Sequence, residues 1–94
     1  MAVELTLSEK ITLLESEITA LKDLIQTEQE NIKTLQRVIS EESVKLEACQ
    51  QAGILYSGSP QIEEDQQQLE EATNRLAQME KELRAFTVYR DQLK

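Results

Sequence analysis

Apolar residues recur along the first half of the chain in alternating steps of four and three: Leu7, Ile11, Leu14, Ile18, Leu21, Ile25, then Ile32, Leu35, Ile39, then Leu46 and Cys49. With Ile11 at heptad position a and Leu14 at d, the phase holds through Cys49 and is broken only by Glu28 and Glu42, both at d. A 3.5-residue period sustained this long predicts a coiled-coil seam, because only a partner helix keeps such a stripe dry. Leu24 and Val38 fall at g and widen the stripe in its middle. A wider face suits a bundle, in which one helix touches more than one neighbour.

A carboxylate at d is costly if it is dry. Glu28 and Glu42 therefore either pair with cations on the facing helix and set the register, or sit where the helices splay and reach water. The long glutamate side chain favours the second reading.

Thr6-Leu7-Ser8-Glu9 has the form of a capping box, so the first helix is predicted to start there. No glycine or proline follows until Gly53, which suits the left-handed position just past a helix end. This helix is expected over about residues 6–52, roughly 70 Å long. The connection spans residues 53–59, where Ser57, Gly58 and Ser59 are turn formers. Ser59-Pro60 reads as a serine cap followed by proline at the first helical position, with Glu63, Glu64 and Asp65 in the first turn. Ile54, Leu55 and Tyr56 either fold over the end of the helices and close the seam or form an exposed partner patch; closure is favoured, since apolar contacts accompany helix C-caps.

The second helix is expected over about residues 60–93. Its seam is Ile62, Leu69, Ala72, Leu76, Met79, Leu83, Phe86 and Leu93, interrupted by Asp65 and Arg90. A short connection makes the two helices antiparallel neighbours. Residues 1–94 thus read as one all-α domain, a long antiparallel helical hairpin of coiled-coil type. Folding about residue 56 brings Leu93 level with Ile18. Leu7, Ile11 and Leu14 then lie on an overhang of about a dozen residues, roughly 20 Å. A single hairpin of this size also offers little core. Both points predict a homodimer, two hairpins pairing as an antiparallel four-helix bundle. Its interface is assigned to Leu7, Ile11, Leu14, Ile18, Leu21, Leu24, Ile25 and Val38.

The net charge of -8 disfavours nucleic acid and anionic membrane surfaces, which call for clustered Lys and Arg. No stretch approaches the roughly 20 apolar residues that span a bilayer. The start, Met1-Ala2-Val3-Glu4, lacks the features of a leader, and one cysteine fits a reducing compartment, so the expected address is cytoplasmic. Cys49, at d, reads as a small buried hydrophobe in preference to an intermolecular disulfide.

There is no histidine, which removes the usual general base and the helical Glu-x-x-His metal motif. No Gly-rich phosphate loop or multi-Cys zinc pattern exists. No catalytic, cofactor-binding or metal-binding residue is assigned, and no cofactor is expected. The expected function is a non-enzymatic coiled-coil interaction module, structural or adaptor, acting as a homodimer and meeting other proteins through helix–helix contacts. The alternative is a small acidic helical chaperone or regulator that grips an amphipathic helix of a client through the overhang or the loop. A membrane-surface role ranks last, because the polar face is acidic where such helices are basic.

Overall fold

The computed structural model describes residues 3–94. Two helices, α1 (Leu7–Gln51) and α2 (Ser59–Leu93), lie side by side as a hairpin. The molecule measures 68 × 26 × 14 Å, with a radius of gyration of 20.9 Å. A compact chain of this length would have about 12 Å, so the hairpin is a rod.

The capping box at the start of α1 forms in full. Thr6 Oγ1 accepts from the Glu9 amide at 3.1 Å, and Glu9 Oε1 accepts from the Thr6 amide at 3.2 Å. At the other end Gly53 takes φ 72°. Its amide donates to the Gln50 carbonyl, and the Ile54 amide donates to the Cys49 carbonyl. These two bonds are a complete Schellman motif, which satisfies carbonyls that the helix end would leave open.

The start of α2 differs from expectation. Gly58, not Ser59, is the cap residue, and no side chain caps the helix. Ser59 is already helical, so Glu63, Glu64 and Asp65 fall past the first turn. The cause lies in Tyr56, whose ring lies close against Gly58. A Cβ built on Gly58 would meet that ring at 2.6 Å. The glycine lets the chain turn into the helix one residue early.

The seam runs without a gap. Every a and d residue from Ile11 to Cys49, and from Ile62 to Leu93 with its two polar members included, is buried or half-buried. The best-buried apolar side chains are Ile18, Leu21, Ile62 and Ala72, and Asp65 shares their burial. Asp65 accepts a hydrogen bond from Gln61 Nε2 at 3.0 Å.

Two ion pairs join the helices. Arg75 Nη2 lies 2.9 Å from Glu28 Oε1, and Lys94 Nζ lies 3.2 Å from Glu15 Oε1. Lys94 against Glu15 carries α2 about two residues further along α1 than a fold about residue 56 allows. The tight connection and the early start of α2 move the pivot back. The overhang is correspondingly shorter, about eight helical residues or roughly 12 Å. Leu7 on it is exposed, while Ile11 and Leu14 are half-buried.

Candidate functional site

The two long edges of the hairpin carry different chemistry. One edge is formed by the d and g positions of α1 and the g positions of α2. The Glu28–Arg75 pair sits on it, with Glu28 at d and its side chain 16% exposed. Nearer the loop, Glu42, also at d, accepts from the Tyr56 hydroxyl and pairs with Lys45 at 3.0 Å. The expectation that both glutamates simply reach water is therefore corrected. Glu28 is neutralised across the seam, and Glu42 is held by the loop and by its own helix.

The loop-end cluster shifts its own proton equilibria. The hydrogen bond from Tyr56, then the Lys45 ammonium, holds the Glu42 carboxyl below its ordinary 4.5. The same carboxylate holds Lys45 above 10.5. Hydrogen bonding to Glu42 raises Tyr56 above 10.0, since the phenol proton is the one being shared.

On the same edge, Leu24 before Glu28 and Val38 between Glu28 and Glu42 stand at g, 57% and 37% exposed. Tyr89, at g of α2, is on the same edge and is also exposed. The opposite edge is a groove of about 380 Å³ lined by Gln29, Ile32, Lys33, Gln36 and Leu76.

The assigned interface residues divide accordingly. Ile18 and Leu21 are buried within the single hairpin, and Ile25 is half-buried. What stays open to a second molecule is Leu7, Leu24 and Val38. Sequence patterning missed Leu13, which lies off the heptad phase at c and is exposed. With Leu5, Ser8, Glu9 and Thr12 it lines a shallow hollow of about 390 Å³, formed where the extended Thr6 leads into the helix. The Leu13-Leu14 pair was the available signal, since one of two adjacent leucines on a helix must leave the seam.

The loop residues also divide. Tyr56 is half-buried over Gly58 and bonded to Glu42. Ile54 is exposed, and Leu55 is 99% exposed. Closure of the seam end is thus done by Tyr56 alone. The left-handed turn at Gly53 sends the following two side chains outward. Cys49 is a free, half-buried thiol.

Among the described residues no group of three or more His, Cys, Asp or Glu is placed to hold a metal ion. Among the same residues no helix is long and apolar enough to cross a membrane. Comparison with family models, curated proteins and solved structures finds no match to this chain.

Proposed function

We propose that the chain is a non-enzymatic coiled-coil interaction module that works as a homodimer, two hairpins packing antiparallel as a four-helix bundle. The observation that carries this reading is the apolar content of one edge. Leu24 and Val38 flank a continuous seam, yet the hairpin leaves both exposed. Leu7 and Leu13 repeat the situation at the overhang.

The surface area supports the same reading. The hairpin exposes 7206 Å², whereas a compact monomer of 10.8 kDa exposes about 5,500 Å². Part of the excess belongs to any rod. A protein–protein interface of ordinary size removes about 800 Å² per partner, so one such contact fits within it. A two-fold pairing would set the Leu24–Val38 edges together. Other proteins would meet the assembly through helix–helix contacts, as a structural or adaptor partner. A cytoplasmic setting belongs to the proposal, since a half-buried single thiol suits a reducing compartment.

A melting series over protein concentration tests the reading. For a dimer the melting temperature climbs with concentration by mass action. Leu24→Ser with Val38→Ser should remove that dependence and lower the melting temperature. A wild-type melting temperature independent of concentration would defeat the proposal.

A further inference from the structure

The loop end of the hairpin presents an apolar tip that the dimer reading does not use. Leu55 and Ile54 stand exposed there, and they are held in place. Both Schellman bonds fix the chain before them, and Tyr56, bonded to Glu42 and seated over Gly58, fixes it after them. Two apolar side chains in a fixed turn lose little freedom when they are buried, which favours binding.

The chain on either side of this tip is acidic. Between residues 41 and 65 six carboxylates (Glu41, Glu42, Glu47, Glu63, Glu64 and Asp65) face one cation, Lys45. That quarter of the chain holds five of its eight net negative charges. Glu41 is paired with Arg37, Glu42 with Lys45, and Asp65 is buried. Glu47, Glu63 and Glu64 are exposed, and no ion pair among the described residues involves them.

We infer that the loop end docks a basic amphipathic helix of a partner protein, with Ile54 and Leu55 against its apolar face and Glu47, Glu63 and Glu64 against its lysines or arginines. An apolar anchor ringed by complementary charge is the usual make-up of such a contact. The same charges count against the other occupants. A second loop end would bring like charge to like charge, and an anionic membrane would be repelled. The inference does not depend on the dimer, whose proposed contacts lie on α1 and its overhang.

The test is an NMR titration of the full chain with a synthetic amphipathic helix built of leucine and lysine. Shifts are expected at residues 47, 53–58, 63 and 64. Leu55→Ser, at a site with no packing role, should weaken binding about tenfold, as should Glu63→Lys with Glu64→Lys. The inference is overturned if the peptide does not bind, or if shifts spread along both helices. It is equally overturned if Leu55→Ser binds within about twofold of wild type. Loss of the Leu55 signal on neutral phosphatidylcholine vesicles alone would overturn it in favour of a lipid surface. The melting series reads a different face, so the two proposals fail separately.

Discussion

At the scale of single residues, the hairpin handles charge in its seam by two different means. Glu28 meets a cation on the facing helix, whereas Glu42 meets a phenol from the loop and a lysine one turn away. The second arrangement makes stability at the loop end depend on pH in a definite sense. Folding lowers the Glu42 pKa, so its contribution is full above 4.5 and is lost as the pH falls through the lower folded value. Folding raises Tyr56 and Lys45, so theirs are full below 10.0 and 10.5 and are lost as the pH climbs through the higher folded values. Tyr56→Phe should therefore melt below wild type by a constant margin between about pH 5 and 9. That margin should narrow on both the acid and the alkaline side. A margin that stays flat across the whole range would show that the hydroxyl does not engage Glu42. Gly58→Ala should mimic Tyr56→Phe at neutral pH, because the added methyl displaces the ring.

Glu28 offers a complementary test. Arg75→Ala leaves its carboxylate in the seam without a cation and should cost about 1 kcal/mol in urea unfolding. Glu28→Leu restores an apolar d residue and should raise the melting temperature, since a paired charge rarely outperforms a packed side chain. Destabilisation by Glu28→Leu would mean that the carboxylate contributes more than its pairing with Arg75.

At the scale of elements, the two ends of α1 show what local chemistry specifies. Gly53 is the residue on which the turn depends, because φ 72° strains any residue with a Cβ. Gly53→Ala should lower stability by about 1–2 kcal/mol, measurable by the same urea titration. Both the capping box at Thr6 and this stop were legible in the sequence, because each involves groups within a few residues of one another. The seam was legible too, since a period of 3.5 survives four polar interruptions. The partners of Glu28 and Glu42 were not. That of Glu28 depends on the register between helices, where a shift of two residues changes which side chains meet, and the Tyr56 contact to Glu42 depends on the fold of the loop. The loop escaped for a related reason. Its three apolar residues look alike in sequence, but Gly53 turns Ile54 and Leu55 outward while the missing Cβ of Gly58 lets Tyr56 fold inward. The start of α2 moved by one residue through that same contact.

At the scale of the whole molecule, the hairpin is a rod with Leu24 and Val38 exposed along one edge. Few side chains are buried as deeply as in a globular core, and among the described residues Ala72 is the one with no exposed surface. Packing a second hairpin on the Leu24–Val38 edge would deepen the burial of the seam behind it without changing the fold of either copy. The acidic loop ends would then point away from each other in an antiparallel dimer, which keeps five of the eight net charges of each chain apart. The proposed pairing would place the Leu24–Val38 edge in the interface and leave the acidic loop ends free.

The most direct measurement is the solution mass, by light scattering on a sizing column with reductant present so that Cys49 cannot cross-link. Dimerisation predicts about 22 kDa, twice the 10.8 kDa chain. A well-helical species at 10.8 kDa across the concentration range would contradict it, and would leave Leu7, Leu24 and Val38 open to a different protein.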